Sequence, residues 1–244
     1  MDKRHWQETP LSLEYGNIIQ HVIFEKEGTS ETDPEGAILR YIDRFAHGTL
    51  EPGVSTRTEQ NEQTQTVFFV SSGEGILGCN HEKRRIAEGD GILIPPGVAH
   101  SFSNEGSEPL HLLSAKEAAP NGPSTGNQDA IIRNYRDSEL LTSHWHYLVH
   151  PIFGEADGLI SMRDVLVVRL DPMTTGDNHG HGPNMDEVWY MWQGQCVHVV
   201  SREVCVQRQG TAVSVCPSDP GHSLINHTDQ PAYLFYFCSK DLNT

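Results

Sequence analysis

Short runs of apolar, β-branched and aromatic residues recur along the chain, separated by turn-forming residues. The runs are AILRYI, TVFFV, GILIP and LHLLSA in the first half, and VLVVRL, EVWYMW, AVSVC and AYLFYF in the second. Runs of this length between glycine- and proline-containing turns predict β-strands. Helical periodicity is weak, with one short candidate near residues 137–141. The pattern therefore predicts an all-β fold.

The chain also carries an internal repeat. Four residues of the segment GDGILIPPGVAHSFSNEGSEP recur 122 positions later, and two glycines recur 121 positions later. Such self-similarity indicates a tandem duplication. We therefore predict two units, 1–120 and 121–244, joined by the loop-forming stretch APNGPSTGNQ at 119–128. The matched pairs are Pro95 and Pro217, His100 and His222, Asn104 and Asn226, Pro109 and Pro231, Gly73 and Gly194, and Gly89 and Gly210.

Composition narrows the classes of function and location. The 244 residues carry a formal net charge of −16, with no basic segment and no helix-turn-helix pattern, which argues against a nucleic-acid partner. No apolar run approaches the ~18–20 residues that span a membrane, and the polar start MDKRHWQETP is unlike a signal peptide. The five cysteines are odd in number and form no CxxC pair, so we expect no disulfide framework and a cytoplasmic location.

Three histidines and a glutamate in the second unit point to a metal. His179 and His181 are two residues apart, so on an extended backbone their side chains share one face. Glu187 opens the run EVWYMWQ, and His222 follows a Pro-Gly turn. Imidazoles and a carboxylate that converge from neighbouring strands suit a divalent transition metal such as Fe, Mn, Co, Ni, Cu or Zn. The alternative is a polar barrel mouth with hydrogen-bonded histidines.

These residues resemble the two sequence motifs of the cupin superfamily. The first motif, roughly G(x)5HxH(x)3–4E(x)6G, is similar to the stretch from His179 to Gly194, except that five residues precede Glu187. The second motif, G(x)5PxG(x)2H(x)3N, is similar to the stretch that ends in His222 and Asn226, except that one extra residue precedes its proline. The resemblance covers both repeats.

The resemblance implies two tandem cupin barrels of the double-stranded β-helix, or jelly-roll, type. It also implies one divalent metal in the second barrel, with Fe, Mn, Ni and Zn as the expected ions. Asp186 is the alternative to Glu187, because its spacing from His181 fits the motif better and its spacing to Gly194 fits worse. The ligands that the resemblance assigns are His179, His181, Glu187 and His222.

The first unit keeps the second motif and departs from the first. Its second motif, which includes His100, fits without irregularity. No register restores the histidine pair, and one imidazole with neutral oxygen donors is a poor transition-metal site. We therefore expect a degenerate first barrel without metal, kept for packing, dimerisation or ligand binding. The residues at the ligand positions are Thr58, Gln60 and Thr66 at an offset of 121, or Glu59 and Asn61 after a shift by one residue.

Aromatic and histidine residues near these motifs are assigned other roles. The pair His144 and His146 has no glutamate at a suitable spacing after it, so we do not expect it to bind a metal. Strand alternation separates Trp189 from Tyr190 and Trp192. Trp189 can therefore line the metal pocket, while the other two pack outside against a sheet or a partner subunit.

The remaining expectations concern the core and the assembly. Cys196 and Cys216 are expected to be small core residues, since neither has an evident activating base. Residues 1–35 are expected to form an arm that lends a strand to the other barrel. The family likeness suggests a homodimer.

The resemblance implies a metal-dependent enzyme that acts on a small organic molecule in the second barrel. The family includes dioxygenases, decarboxylases, isomerases and lyases, and three histidines with one glutamate leave coordination positions open for a substrate or dioxygen. An iron-dependent dioxygenase is favoured within that range. The candidates for a separate acid or base are Tyr190 and His198. The alternatives are a non-catalytic protein that binds or senses a sugar or carboxylate, and a storage or structural protein.

Overall fold

The computed structural model describes residues 1–30, 33–122, 129–181, 184–215 and 221–240. Within these ranges the chain forms 21 β-strands and three 3₁₀ turns but no α-helix, so the all-β prediction is confirmed. None of the helical turns in these ranges is long and apolar enough to cross a membrane.

The strands are short and follow the predicted apolar runs. The first eleven are β1 (Asp2–His5), β2 (Leu11–Glu14), β3 (Ile18–Lys26), β4 (Ala37–Leu39), β5 (Arg44–Leu50), β6 (Thr64–Ser72), β7 (Glu74–Cys79), β8 (Glu82–Ala87), β9 (Asp90–Ile94), β10 (His100–Ser103) and β11 (Leu110–Ala118). The other ten are β12 (Ile131–Asn134), β13 (Leu141–Ser143), β14 (Tyr147–Gly154), β15 (Met162–Leu170), β16 (Glu187–Gln193), β17 (Gln195–Val200), β18 (Glu203–Arg208), β19 (Thr211–Ser214), β20 (His222–Ile225) and β21 (Ala232–Ser239). The 3₁₀ turns are Trp6–Glu8, Tyr135–Asp137 and Glu155–Asp157, so the short helix suggested at 137–141 is wrong and a strand begins there.

Each half of the chain forms a barrel from one large and one small sheet. In the first barrel the large sheet has the order β12-β9-β6-β11-β5-β3-β2, with β4 beside β3, and the small sheet has the order β10-β7-β8. In the second barrel the orders are β1-β19-β16-β21-β15-β14-β13 and β18-β17-β20. Apart from β4, the second barrel repeats the strand pairing of the first, which agrees with the tandem duplication.

The two barrels exchange their first strands. β1 pairs antiparallel with β19 of the second barrel, and β12 pairs antiparallel with β9 of the first. Of the segment 1–35 predicted as an arm, β1 is the strand lent to the other barrel, whereas β2 and β3 pair within the first barrel's own sheet. The division at residue 120 stays a prediction about the sequence repeat, and residues 123–128 of the proposed linker lie outside the described ranges.

A matching turn follows each exchanged strand. The backbone N–H of Trp6 donates to the Gly210 carbonyl at 3.1 Å, and that of Tyr135 donates to the Gly89 carbonyl at 3.1 Å. Both glycines have positive φ, and a Cβ atom at either position would lie under 3.0 Å from the arriving arm. Glycine is therefore required where each arm crosses the other barrel.

An apolar core joins the two large sheets. Phe45 and Phe69 of the first barrel pack against Phe235 of the second, with ring centroids 6.4 and 4.9 Å apart. The Trp192 indole donates to the Ser71 carbonyl across the same interface at 2.6 Å. The outward face of β16 thus packs against the first barrel. Cys196 is buried in the second barrel's own core, as predicted, and Cys216 lies outside the described residues.

Two buried carboxylates bind loops of the opposite barrel. Asp186 accepts from the backbone N–H groups of Arg40, Tyr41 and Ile42 at 2.7–3.1 Å. In the other direction, Glu117 at the end of β11 accepts from three successive N–H groups at 2.6–3.0 Å. These donors are the backbones of Ile160, Ser161 and Met162. Hydrogen bonds to ionised acceptors are stronger than neutral ones, so the two clamps fix the barrels against each other.

Asp186→Ala should destabilise the protein because it leaves three backbone donors at the interface without their acceptor. We expect the free energy of unfolding to fall by about 2–4 kcal/mol, and by less in Asp186→Asn, which keeps one oxygen. Urea unfolding measures both values. Exposed Asp137→Ala is the control and should change stability by less than ~0.5 kcal/mol. A stability of Asp186→Ala equal to that of the control would contradict this role.

A histidine is enclosed between the barrels beside the N-terminal arm. The Trp6 ring stacks on His47 with centroids 4.0 Å apart, and the His47 Nδ1 lies 2.9 Å from the Tyr190 hydroxyl oxygen. The His47 Nε2 lies 3.0 Å from Nδ1 of His111. Burial, reinforced by the neighbouring histidines, lowers the pKa of His47 to about 3. His47 is therefore neutral in the folded protein at pH 7.

This burial makes stability depend on pH. The unfolded chain takes up a proton on His47 below about pH 6.5, whereas the folded protein does so only near pH 3. The contribution of neutral His47 is complete above pH 6.5 and is lost as the pH falls towards 3, by about 1.4 kcal/mol per pH unit. In His47→Asn we expect the stability loss between pH 7 and pH 5 to be smaller than in wild type by about 2 kcal/mol. Urea unfolding at both pH values measures these losses. Equal losses in wild type and His47→Asn would contradict the assigned role of His47.

Candidate metal centre

The histidines predicted as ligands meet at one mouth of the second barrel. An isolated bridge pairs His179 with His222, the first residue of β20, through backbone N–H···O bonds of 3.1 and 2.8 Å. His181 follows two residues after His179 on the same extended segment. Glu187 is the first residue of β16. Three separate segments therefore carry these side chains to one place.

The spacing of the donor atoms fits a shared cation. Ligand nitrogens of His179, His181 and His222 all lie within 4.8 Å of one another, so the triad could hold a metal ion. The Glu187 Oε1 lies 3.4 Å from Nε2 of both His181 and His222. That separation is longer than an ordinary N–H···O hydrogen bond. Two ligand atoms bound at about 2.1 Å to one metal lie about 3.0–3.4 Å apart, so the distance suits ligands of one ion.

Burial and mutual attraction set the charge of these groups. Burial opposes ionisation of Glu187, but His181 and His222 outweigh it and leave the pKa of that carboxyl below its ordinary value. The same carboxylate raises the pKa of His181. Burial lowers the pKa of His222 to about 3, and burial also lowers the pKa of His179. At neutral pH Glu187 therefore offers an anionic oxygen, and His179 and His222 offer neutral imidazoles, the protonation states that bind metals. The raised pKa of His181 means that a metal competes with a proton for this ligand.

Several nitrogens of this group lack a hydrogen-bond partner. Within the described part of the chain, neither Nδ1 nor Nε2 of buried His222 is bonded, and the same holds for Nε2 of His181. A buried polar atom without a partner costs about 1–3 kcal/mol. A bound cation would satisfy the lone pair of each neutral imidazole, one nitrogen of His181 and one of His222. The residues present therefore fit a metal.

Neighbouring side chains hold two of the donors in place. The Trp189 indole donates to Glu187 Oε1 at 3.0 Å, which confirms that Trp189 faces the pocket. The His179 Nδ1 lies 3.2 Å from the Asp177 carbonyl and 3.3 Å from its carboxylate, which leaves Nε2 available to a metal. Such outer hydrogen bonds orient metal ligands.

His144 lies beside this group, although its sequence context predicted no role there. Its ring stacks on His179 with centroids 3.5 Å apart, and its Nδ1 lies 3.0 Å from the Asp177 carboxylate. Donor atoms of His144, Asp177 and His179 form a second potential ligand group. His146 instead bonds the Thr175 carbonyl. The approach of His144 depends on positive φ at positions 144 and 145, for which the sequence carries no signal.

The structure also locates the other sequence candidates. Tyr190 lies on the opposite face of β16 from Glu187 and bonds His47 at the barrel interface, so it does not reach the metal pocket. His198 is fully buried, with its ring centroid 5.9 Å from that of His222. Asp186, the alternative ligand, faces the first barrel and is occupied by three backbone donors.

A cavity of about 400 Å³ opens onto three of the candidate ligands, His179, His181 and Glu187. Its apolar wall includes Leu166, Val168 and Trp189, and Arg163 brings a positive charge to the same cavity. The Arg163 Nε atom donates to Asp164 at 2.6 Å, and the side chain is 42% exposed. A small molecule with an anionic group could therefore contact both the guanidinium and the metal position.

The first barrel has a different register from the one predicted at an offset of 121. Glu59 is bridged to His100 as His179 is bridged to His222, so Glu59 and Asn61 stand at the histidine positions, and Thr58 and Gln60 do not. The shift arises because the stretch from His179 to Glu187 is one residue longer than the corresponding stretch from Glu59 to Thr66. Both potential ligand groups of the described residues lie in the second barrel. Absence of metal from the first barrel stays a prediction.

Comparison with known sequences supports the first barrel as a cupin domain. Residues 46–116 match the family model of the cupin domain. The oxalate-binding protein of Thermotoga maritima is 30% identical over 70 residues, which cover 29% of this chain and 58% of that protein. The chain spans little more than half the length of the curated relatives that it matches, 55% and 58%.

Solved structures extend the likeness over nearly the whole chain. Protein YlbA of E. coli has a TM-score of 0.72 at 15% identity and covers 99% of this chain and 90% of its own. The S161A mutant of Bacillus subtilis oxalate decarboxylase has a TM-score of 0.72 at 14% identity, covering 99% and 78%. Identities this low establish the fold alone. The first barrel therefore matches the cupin-domain model, and the chain has the two-barrel fold of these solved structures.

Metal content should depend on the second barrel alone. We expect purified wild-type protein to hold close to one equivalent of a transition metal and His222→Ala to lose it, because His222 supplies a buried donor. His100→Ala is the matched control, since it removes the buried histidine at the same position of the first barrel. Elemental analysis measures the three proteins. Equal metal content in wild type and His222→Ala would contradict the site.

Proposed function

We propose that the second barrel binds one divalent transition metal and uses it to act on a small organic acid. The observation that carries the proposal is the cavity lined by His179, His181, Glu187 and Arg163. Three imidazoles and one carboxylate leave open positions on a six-coordinate ion, where a substrate oxygen could bind. The proposed ligands are His179, His181, Glu187 and His222.

The substrate class follows from the charge and size of the cavity. Arg163 presents a planar guanidinium that can form paired hydrogen bonds with a carboxylate. At about 400 Å³ the cavity is near the small end of ligand sites. Leu166 and Val168 form a wall that can exclude water from the bound molecule. A short carboxylic acid, held at one end by Arg163 and at the other by the metal, fits these features.

The bound metal would supply Lewis-acid chemistry, polarising the substrate oxygens. The protein's own residues would bind the substrate and orient the metal ligands. Trp189 fixes the Glu187 carboxylate by its 3.0 Å hydrogen bond, and Asp177 fixes the ring of His179. Tyr190 lies on the far side of β16, whereas Tyr147, Tyr236 and His144 line the cavity itself.

The names of similar proteins agree with small acids as ligands. One curated relative is an oxalate-binding protein, and structural neighbours include Bacillus subtilis oxalate decarboxylase, an enzyme with Mn(II) centres. Cleavage of a small acid without net oxidation and dioxygen-dependent oxidation are two outcomes that experiment separates. Assembly as a homodimer stays a prediction.

Substrate tests should use metal-loaded protein with oxalate, glyoxylate and short keto and hydroxy acids. Carbon dioxide release, oxygen consumption and NMR of products distinguish decarboxylation, dioxygenation and isomerisation. For a turned-over acid we expect Arg163→Gln to raise KM by about tenfold or more, because the paired hydrogen bonds are lost, with a smaller effect on kcat. Arg208→Gln, an exposed arginine on β18, is the control.

The outcomes separate an enzyme from a binding protein. Saturable binding of an acid that needs the metal and Arg163, without turnover of any acid, would favour the non-catalytic alternative. Unchanged KM in Arg163→Gln would contradict the assigned role of that arginine. Failure of every acid to bind would overturn the proposed substrate class.

A further inference from the structure

A buried histidine–glutamine pair lies behind the metal-ligand candidates. His198 on β17 and Gln207 on β18 are both fully buried. The Gln207 Nε2 donates to the carbonyls of Trp189 and Thr211 at 2.7 and 3.0 Å. The Gln207 Oε1 lies 3.0 Å from the His198 Nδ1. Every polar atom of the Gln207 amide is therefore used.

This arrangement fixes the position of the proton on His198. Carbonyl oxygens only accept hydrogen bonds, so the Gln207 atom that contacts two of them must be the NH₂ group. The other amide atom is then an oxygen, which requires His198 to carry its hydrogen on Nδ1. The Nε2 atom of a neutral His198 is thus an acceptor. Burial lowers the pKa of His198 to about 4, which keeps it neutral at pH 7.

Two nitrogens without hydrogen-bond partners belong to neighbouring histidines on the inner face of the small sheet. In the described part of the chain, neither Nε2 of His198 nor Nδ1 of His222 has a hydrogen-bond partner. β17 pairs with β20 so that His198 is opposite Leu224 and Val200 is opposite His222. The two histidines are therefore diagonal neighbours on one face, with ring centroids 5.9 Å apart.

Metal binding would make these two atoms complementary. If Nε2 of His222 binds the metal, its Nδ1 must carry a hydrogen and needs an acceptor. The free Nε2 of His198 is an acceptor in need of a donor. Two imidazoles joined by an N–H···N bond have centroids about 5 Å apart, so closure by about 1 Å brings the rings into contact.

We propose that His198 is a positioning residue of the metal centre, whose Nε2 accepts a hydrogen bond from Nδ1–H of metal-bound His222, with Gln207 holding His198 in the accepting tautomer. This inference rests on the proposed function, since it takes the metal site as given. It adds a chain of contacts from the metal position through His222, His198 and Gln207 to the backbone of β16 and β19.

The first barrel supplies an internal comparison. The residues paired like His198 and Gln207 are Leu77, opposite Phe102 on β10, and Ile86, opposite Gly75. Both are buried apolar residues. Packing at these positions therefore does not need a polar pair. The barrel that carries the ligand triad is the one with a histidine and glutamine there.

The decisive variant copies the first barrel's pair into the second, as His198→Leu with Gln207→Ile. Because Leu77 and Ile86 pack at the equivalent positions, we expect the double variant to fold and to unfold cooperatively without metal. We expect its Zn²⁺ affinity, measured by chelator competition, to fall about 10–100-fold. His100→Leu in the first barrel is the control and should bind Zn²⁺ as wild type does. A double variant with wild-type affinity overturns the inference.

Nitrogen-15 NMR of histidine-labelled protein tests the tautomer directly. In metal-free wild type we expect His198, assigned by loss of its signal in the double variant, to be neutral with a hydrogen on Nδ1 and none on Nε2. In Zn²⁺-loaded protein we expect His222 to carry its hydrogen on Nδ1. A hydrogen on Nε2 of His198 overturns the inference while leaving the proposed function intact. A wild type that binds no metal overturns the proposed function, and the inference with it.

Discussion

The hydrogen bonds between Asp186 and three backbone donors of the first barrel fix the point at which β16 begins. Successive side chains of a strand point to opposite faces, so holding Asp186 against the first barrel turns Glu187 into the second barrel. The two neighbouring carboxylates thereby take opposite roles. Asp186 joins the barrels, and Glu187 faces the histidines at 3.4 Å. The candidate ligand Glu187 is therefore coupled to the barrel interface, because it directly follows Asp186 in the chain.

The two barrels have different residues at equivalent positions of the interface and the core. In the first barrel Gln65 and Thr66 stand at the positions of Asp186 and Glu187, and the carboxylate that clamps the other barrel is Glu117 on the neighbouring strand β11. Thr66, at the position of Glu187, therefore provides no carboxylate ligand. Leu77 and Ile86 fill space where the second barrel has His198 and Gln207. One barrel has kept apolar packing, while the other carries buried polar groups that a metal would satisfy.

Much of the fold could be predicted because it depends on local pattern and on repetition. Short apolar runs predicted the strands, and the matched positions at 121–122 predicted two tandem units. The spacing of His179 and His181 predicted a shared face, and the structure places both beside His222. These features are encoded within a few residues or in a repeat, where a single sequence is informative.

The rest depended on contacts between distant residues. Motif spacing did not decide between Asp186 and Glu187 as the metal ligand. Asp186 is held towards the first barrel by the backbone of a loop about 145 positions away, which spacing does not reveal. The exchanged strand β12 is four residues long and half polar, so it carries no pattern that predicts pairing with β9. The register of Glu59 depends on a one-residue difference in loop length. The stacking of His144 on His179 depends on a turn with positive φ, which sequence spacing does not reveal.

We propose that a single transition metal binds in the second barrel, held by three histidines and Glu187, and that the first barrel holds none. Anomalous X-ray diffraction from crystals of the metal-loaded protein, collected on both sides of the metal absorption edge, locates the ion. We expect one strong anomalous peak per chain, within bonding distance of His179, His181, His222 and Glu187, and none beside His100. A peak held by His144 and Asp177, a peak in the first barrel, or no peak among the three histidines would contradict it.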